Sequence, residues 1–211
     1  MTLLPHELWF PSVSLANPDG LLAIGGDLSV ERLTLAYHSG IFPWFNEGDP
    51  ILWWSPDPRM VLFPEKLKVS KSLRRVIQKN IFHCTWNQEF LEVMRQCATI
   101  ERKGQPGTWI NEEMVAAYEK LHKEGHAYSV EVWKDDDLVG GLYGIDLPEK
   151  KVFCGESMFS KESDSSKVAL HFLVERLKKE NYVLIDCQVY NDHLASLGAE
   201  EISREEFIHF L

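Results

Sequence analysis

The stretch DSSKVALHFLVERLKKENYVLIDCQV, residues 164–189, decides the fold. Its first part predicts a helix over residues 164–180, because apolar side chains recur there every three or four positions. Its second part, residues 182–189, is apolar and β-branched without Gly or Pro, which predicts a buried strand. A helix that leads directly into a buried strand is typical of a crossover connection on a sheet. The apolar face of the helix holds Leu170, Leu173, Val174 and Leu177.

Upstream of this helix the sequence predicts a meander of short strands and turns. The strands are expected over residues 127–133, 138–145 and 151–159, with the turn sequences KDDD and LPEK between them. Gly140, Gly141 and Gly144 lie inside the second strand, where glycine indicates a bulge or a close backbone approach. Antiparallel strands, a crossover helix and one more strand together predict an α+β fold with a mixed, mainly antiparallel sheet and flanking helices.

The chain before the meander divides into two parts. Residues 1–62 are broken by Pro and rich in Trp, which predicts a small N-terminal α/β subdomain packed on a main domain of residues 63–211. A helix is expected there from the N-cap Ser29 to Gly40. Further amphipathic helices are expected to start at Ser70, Asn87 and Asn111, and residues 101–108 are predicted to form a loop leading into Trp109.

Composition excludes several classes of protein. The formal net charge of −10 argues against generic polyanion binding, so any nucleic-acid site must be a local patch. The four cysteines are scattered without a Cys-x-x-Cys pair, which predicts free thiols. His122 and His126 lie four apart, but Gly125 ends their helix, so no metal site is expected. Without a signal peptide or an apolar run of about 20 residues, a soluble cytoplasmic protein is expected.

Polar side chains interrupt two of the apolar strands. Asp186 and Gln188 lie in the last strand, where period-two alternation places them on one face and Cys187 on the other. Buried polar groups cost free energy unless they are paired, so both could simply cap a neighbouring loop. A lone carboxylate, Glu156, lies in the strand over residues 151–159, and this favours the alternative that the two strands build a site.

The order of the elements resembles the core of the GNAT acyltransferase fold. Short motifs are more specific, and together they resemble the leucyl/phenylalanyl-tRNA–protein transferase family from about residue 9 to the C-terminus. These motifs are GLLAIGGD (20–27), GIFPWF (40–45), LWWSPDPR (52–59), GTWI (107–110), FCGESMFS (153–160) and LIDCQV (184–189).

The resemblance implies an aminoacyltransferase. It would move Leu or Phe, sometimes Met, from Leu-tRNA or Phe-tRNA to the α-amine of proteins with an N-terminal Arg or Lys. The new peptide bond would mark the protein for degradation in the N-degron pathway. Aminoacyl-tRNA is already an activated ester, so neither a cofactor nor a metal is implied. The enzyme must hold ester and amine in attack geometry and assist loss of the amine proton.

The resemblance also assigns roles to the polar strand residues. Asp186 and Gln188 are the catalytic candidates: Asp186 could orient Gln188 or relay a proton, or the terminal ribose hydroxyl of the tRNA could assist instead. Glu156 is the expected counter-charge of the basic acceptor residue. The alternative for Glu156 is a structural ion pair with a Lys or Arg of this chain.

Three further groups of residues follow from the resemblance. Trp44 and Trp109 would stack on the terminal adenosine of the tRNA. A basic run would contact the tRNA backbone, although such a run is also typical of a solvated helix face. An apolar pocket would hold the donor side chain, although a Leu stripe is also typical of core packing. The basic run is Arg59, Lys66, Lys68, Lys71, Arg74, Arg75 and Lys79, and the pocket is lined by Leu142, Phe153, Met158, Leu170, Leu173, Leu177 and Ile185.

The sequence departs from the family at positions 142, 173 and 177, where relatives carry Met or aromatic residues and this chain carries Leu. The preference among Leu, Phe and Met therefore stays open.

Two rival functions compete with this interpretation. An acetyl-CoA-dependent N-acetyltransferase needs a Gly-rich loop for pyrophosphate, whereas residues 161–166, KESDSS, are acidic and lack Gly. A non-catalytic tRNA- or degron-binding module would need Trp44, Trp109 and the basic run but not the pair Asp186 and Gln188. A Cys187 nucleophile is disfavoured, because the alternation turns Cys187 away from that pair.

Overall fold

The computed structural model describes residues 2–100 and 109–211. The predicted loop over residues 101–108, with Gly107 and Thr108 of the GTWI motif, lies outside the described residues. Within these ranges the chain forms a four-stranded and a seven-stranded sheet with helices packed on them. The smaller sheet contains β1 (Thr2–Leu4), β2 (Leu21–Gly25), β3 (Phe42–Pro43) and β4 (Leu52–Trp54).

The larger sheet carries the elements predicted for the main domain. Its strands are β5 (Arg59–Leu62), β6 (His83–Trp86), β7 (Ala127–Lys134), β8 (Asp137–Leu147), β9 (Val152–Ser160), β10 (Leu184–Gln188) and β11 (Glu200–Ile202). The helices are α1 (Val30–His38), α2 (Lys71–Gln78), α3 (Phe90–Thr99), α4 (Glu112–Lys123), α5 (Ser165–Lys179), α6 (Asp192–Ser196) and α7 (Arg204–Ile208). Short 3-10 turns cover Val13–Leu15 and Pro64–Lys66.

The larger sheet is mixed. Its strand order is β11-β5-β10-β9-β8-β7-β6, and β9 and β10 are a parallel pair among antiparallel neighbours. Parallel neighbours need a crossover connection, and α5 supplies it between β9 and β10. The predicted α+β class, with a meander followed by a crossover helix and a further strand, is confirmed.

Most predicted helix starts are confirmed by their caps. Ser29 and Ser70 accept hydrogen bonds from backbone N–H groups at the starts of α1 and α2, and Asn111 does so for α4. The start predicted at Asn87 is wrong, because Asn87 is left-handed with φ 58° and α3 begins at Phe90. The α3 N-terminus is instead capped from β7: the Glu131 carboxylate accepts the backbone N–H groups of Gln88 and Glu89 at 3.2 and 3.3 Å.

The glycines of β8 confirm the expected close backbone approach. A Cβ at Gly144 would lie 2.2 Å from the carbonyl oxygen of Cys154, and one at Gly141 would lie 2.7 Å from that of Val130. The pairing of β8 with β9 also shifts register between Tyr143 and Gly144. Only glycine permits the neighbouring strands to approach this closely.

The core joins the N-terminal segment, residues 2–58, to the larger sheet. Tyr37 and Trp53 are fully buried in the same apolar cluster as Phe90 and Met114. Since β5 pairs with β10 and β11, the chain enters the larger sheet before residue 62, where the predicted subdomain ends. The division into residues 1–62 and 63–211 stays a prediction. In the part of the chain that the structure describes, no helix is long and apolar enough to cross a bilayer.

Candidate active site

A cavity opens where β9 and β10 diverge. Their parallel pairing runs from Leu184 opposite Val152 to Asp186 opposite Cys154, while β9 continues to Ser160. Beyond that last pair the two strands separate, and the residues that follow on each strand line a cavity of about 300 Å³. Residues beyond the last pair on both strands, including Glu156 and Gln188, thus line one cavity.

The predicted donor pocket corresponds largely to the apolar wall of this cavity. The prediction is wrong for Phe153 and Leu177, because both are buried in the core and neither lines the cavity. The predicted residues that do line it are Leu142, Met158, Leu170, Leu173 and Ile185. The structure therefore brings these residues together at one wall, with Phe153 and Leu177 outside it.

Glu156 and Gln188 form the polar end of the cavity. Gln188 Nε2 donates to Glu156 Oε1 at 2.8 Å, and the Tyr118 hydroxyl donates to Glu156 Oε2 at 3.1 Å. Burial raises the pKa of the Glu156 carboxyl to about 7, and the hydrogen bonds from tyrosine and Gln188 oppose that rise. Among the described residues no Lys or Arg forms an ion pair with Glu156. The alternative role of Glu156, a structural ion pair within the chain, is therefore not observed among these residues.

Asp186 lies behind this wall rather than on it. Its side chain is 1% exposed, and its carboxylate forms a bidentate ion pair with the buried guanidinium of Arg59. Asp186 Oδ1 also accepts the backbone N–H of Gln188 at 2.9 Å. Asp186 therefore does not line the cavity itself and contacts the cavity residue Gln188.

The period-two alternation predicted for the last strand is wrong at its end. The pairing of β10 with β5 is irregular between Asp186 and Gln188, and Gln188 has φ 65°. As a result Cys187 and Gln188 both line the cavity while Asp186 does not, so Asp186 and Gln188 do not share a face. Burial raises the pKa of the Cys187 thiol, which disfavours a thiolate nucleophile despite its position.

Arg59 does not belong to the exposed basic run that the sequence predicts. The sequence predicts that it contacts tRNA phosphates, but it is 1% exposed and paired with Asp186, so it is not available to a polyanion. The other members of the run lie at the surface on and around α2, and Lys66 pairs with Glu200. These residues are Lys66, Lys68, Lys71, Arg74, Arg75 and Lys79.

Trp44 and Trp109 are brought together at the cavity. Both line it, although they are distant in sequence. Trp44 is 39% exposed, and its backbone carbonyl accepts the indole N–H of Trp54 at 2.7 Å. The Trp44 and Trp54 rings contact one another with centroids 5.8 Å apart. An exposed aromatic face held by such contacts can stack on a planar ligand.

Sequence reasoning misses some residues of the site. It singles out neither Tyr118 of α4 nor Tyr37 of α1, yet their hydroxyls bond to one another and Tyr118 bonds to Glu156. A tyrosine on a buried stripe needs a hydroxyl partner, and this is the signal that could have found them. Asn191 and His193 also line the cavity, at the start of α6.

His122 has contacts of its own. Its ring stacks on Phe90 with centroids 4.3 Å apart, and Nδ1 bonds the Ala127 carbonyl at 3.0 Å. Over residues 2–100 and 109–211 no group of three or more His, Cys, Asp or Glu side chains is arranged to hold a metal ion.

Comparison with known proteins gives consistent results over the whole chain. The family described as leucyl/phenylalanyl-tRNA protein transferase matches residues 61–211, and its N-terminal domain family matches residues 26–57. A protein of Flavobacterium johnsoniae named leucyl/phenylalanyl-tRNA–protein transferase is 63% identical over 211 residues, which is 100% of this chain and 99% of that protein. A protein of the same name from Syntrophobacter fumaroxidans is 56% identical and covers 99% of this chain and 88% of its own length.

Among solved structures, an aminoglycoside acetyltransferase from a soil metagenomic sample matches with a TM-score of 0.41 and 14% identity. That match covers 56% of this chain and 84% of the acetyltransferase.

Proposed function

Because the chain belongs to the leucyl/phenylalanyl-tRNA protein transferase family and is an aminoacyltransferase, we propose the following substrates for its cavity. The donor is Leu-tRNA or Phe-tRNA, with Met as a further side chain that the apolar wall accepts. The acceptor is the α-amine of a protein that begins with Arg or Lys. The modified protein then carries a new N-terminal residue that targets it for degradation.

The observation that carries this proposal is the composition of a single cavity. It combines an apolar wall, two tryptophans, and a carboxylate hydrogen-bonded to a carboxamide. The apolar wall, which includes Leu142, Leu170 and Ile185, suits a Leu or Phe side chain. Trp44 and Trp109 suit the terminal adenosine, since base–aromatic stacking contributes about 1–3 kcal/mol per base.

Glu156 is proposed to bind the basic acceptor side chain. Its hydrogen-bond donors in the structure are neutral, and burial and the charge of Asp186 raise its pKa despite those hydrogen bonds. An incoming guanidinium or ammonium would supply a cation and stabilise the ionised carboxylate. A neutral acceptor residue would leave the carboxylate without compensation.

Gln188 is proposed to contact the attacking amine. In the transfer, the acceptor nitrogen attacks the ester carbonyl carbon, a C–N bond forms, and the C–O bond to the ribose breaks. The amine loses a proton and the ribose oxygen gains one. Since Gln188 Nε2 donates to Glu156, its Oε1 is the atom that can accept a hydrogen bond from the amine. An amide is not basic enough to take the proton, so Gln188 positions the amine.

The tRNA body is proposed to contact the basic surface around α2. The exposed residues Lys71, Arg74 and Lys79 suit phosphates, which fix orientation without reading sequence. The acidic chain as a whole would repel a polyanion elsewhere, and so this local patch would direct the approach.

The proposed function can be tested with purified components. The protein is mixed with radiolabelled Leu-tRNA and a peptide that begins with Arg, in the presence of EDTA and without acetyl-CoA. The expected product is the peptide extended by Leu, identified by mass, and a peptide beginning with Asp serves as the matched control. Acetylation that requires acetyl-CoA would favour the acetyltransferase alternative. Binding of both substrates without any product would favour the binding module.

A further inference from the structure

We propose that Arg59 is a positioning residue of this active site, which acts through Asp186 to fix the backbone of Gln188 and so to aim its carboxamide at Glu156 and the attacking amine. This inference rests on the proposed function. The four residues form one chain of contacts from the core to the cavity: Arg59 to Asp186, Asp186 to Gln188, and Gln188 to Glu156.

The first contact is a bidentate fork. Arg59 Nε donates to Asp186 Oδ1 at 2.8 Å and Nη2 donates to Oδ2 at 2.7 Å. Paired parallel hydrogen bonds fix the plane of a carboxylate as well as its position. Both side chains are 1% exposed, so water does not compete for either oxygen.

The guanidinium has further contacts that hold it. Its Cζ lies over the rings of Phe42 and Phe207, 4.8 and 4.6 Å from their centroids, and Nη1 donates to the carbonyl of Gly40 at 3.1 Å. Phe42 belongs to β3 and lines the cavity, whereas Phe207 belongs to α7. Arg59 thereby attaches the N-terminal segment and the C-terminal helix to the strand that carries Gln188.

The second contact sets an uncommon backbone conformation. Gln188 has φ 65°, a left-handed value that is uncommon for residues other than Gly and persists only where the surroundings impose it. The Asp186 carboxylate accepts the Gln188 N–H at the same point where β10 loses register with β5. The carboxylate therefore stabilises the turn of the backbone that directs Gln188 into the cavity.

A lysine cannot replace Arg59 in this arrangement. An ammonium is a compact charge without a planar fork, so it cannot bond both carboxylate oxygens in parallel or stack on the two rings as a guanidinium does. Arg59→Lys keeps the charge and removes the geometry. This variant therefore separates positioning from simple charge neutralisation.

The chain offers a matched control in Arg32. It is also 1% exposed, pairs with Asp27, and donates to the carbonyls of Pro5 and Glu7 in the N-terminal segment. Arg32→Lys should lower the melting temperature and leave kcat unchanged. Arg59→Lys should lower kcat by at least about 10-fold, and by about 100-fold if the carboxamide moves by about 1 Å, with the Kd for Leu-tRNA unchanged.

Combining Arg59→Lys with Gln188→Ala tests whether the role of Arg59 is purely structural. If Arg59 acts through Gln188, the Lys substitution should leave kcat nearly unchanged once Gln188 has been removed. Equal fold-losses of kcat with and without Gln188, tracking the melting temperature, would overturn the proposal.

A second variant covers the case in which Arg59→Lys does not fold. Replacing a buried ion pair by apolar side chains leaves no unpaired charge, so the double variant R59M/D186L should fold. It should bind Leu-tRNA normally and lose kcat, because the Gln188 N–H no longer has its acceptor. Folded R59M/D186L with the kcat of the parent protein would contradict the proposal.

Hydrogen exchange of the Gln188 backbone amide provides a readout that does not require catalysis. The parent protein and Arg32→Lys should protect this amide, whereas R59M/D186L should exchange it faster. Unchanged protection in R59M/D186L would overturn the proposal even if the parent protein transferred nothing. Absent transfer together with faster exchange would instead count against the proposed function alone.

Discussion

At the scale of single residues, Glu156 is the side chain on which we propose that the choice of acceptor depends. Its carboxyl has a pKa raised to about 7 by burial, and its hydrogen-bond donors in the structure are Tyr118 and Gln188. Near neutral pH the carboxyl is therefore only partly ionised in the free enzyme, and a cationic acceptor would favour its charged form. Binding of such an acceptor and ionisation of Glu156 should be coupled.

This coupling predicts how acceptor binding depends on pH. Below about pH 7 Glu156 is protonated and neutral, so it offers no counter-charge, and affinity for a peptide beginning with Arg should rise as pH increases through that value. Calorimetric titration with the peptide, without tRNA, measures the Kd on either side of the transition. Glu156→Gln should weaken binding and remove the dependence. An unchanged pH profile in that variant would refute the assignment.

The apolar wall predicts the effect of a larger residue at Leu142. Leu142→Trp should fill the apolar part of the cavity and suppress transfer of both Leu and Phe, because overpacking an apolar site costs about 1–3 kcal/mol. Leu142→Met conserves volume and should keep both activities. The measurement is kcat/KM with each aminoacyl-tRNA, checked by the melting temperature. Normal donor kinetics in folded Leu142→Trp would show that residue 142 does not contact the donor.

At the scale of elements, the close approach of β8 to β9 predicts unequal costs for two similar substitutions. A Cβ at Gly144 would lie 2.2 Å from the Cys154 carbonyl oxygen, whereas one at Gly155 would meet its nearest atom at 3.6 Å. Gly144→Ala should therefore lower the free energy of unfolding by about 1–3 kcal/mol or more, and Gly155→Ala by much less. Denaturant titration of both variants measures the difference. Equal losses would contradict the packing described for β8.

The basic surface of α2 predicts a salt-dependent effect on tRNA binding. Removing the charges of Arg74 and Lys79 should weaken Leu-tRNA binding and reduce the slope of log K against log salt by about 0.7–0.9 for each phosphate that the variant no longer neutralises. The value of kcat at saturating tRNA should not change. Lys150, an exposed lysine on the turn between β8 and β9, is the control position. The same slope in the α2 variant and the parent protein would place the tRNA elsewhere.

The elements also show what the sequence could and could not predict. Periodicity predicted the meander, α5 and β10, because these depend on local apolar patterns that burial reinforces. It failed at Gln188, where an irregular register turns Gln188 and Cys187 to the same cavity, and at Asn87, where Glu131 from another element caps the helix. Arg59 was predicted as an exposed cation for the same reason, since its partner Asp186 is remote in sequence. Each of these errors arose because contacts with an element remote in sequence determine the local structure.

At the scale of the whole molecule, the cavity lies where the N-terminal segment meets the larger sheet. Phe42, Pro43 and Trp44 come from that segment, while Glu156 and Gln188 come from β9 and β10. Arg59 and the shared core around Tyr37 hold the two parts together. The cavity in which the proposed donor and acceptor meet is therefore built from both parts of the chain, and neither part alone supplies all of its lining residues.

The most direct test compares two peptides that differ at one N-terminal residue, Arg or its neutral isostere citrulline. We expect the parent protein to prefer Arg by at least about 30-fold in kcat/KM with Leu-tRNA, which corresponds to about 2 kcal/mol for a buried charge pair. In Glu156→Gln the preference should fall to near unity, while the Kd for Leu-tRNA stays the same. An undiminished preference for Arg in folded Glu156→Gln would contradict the account.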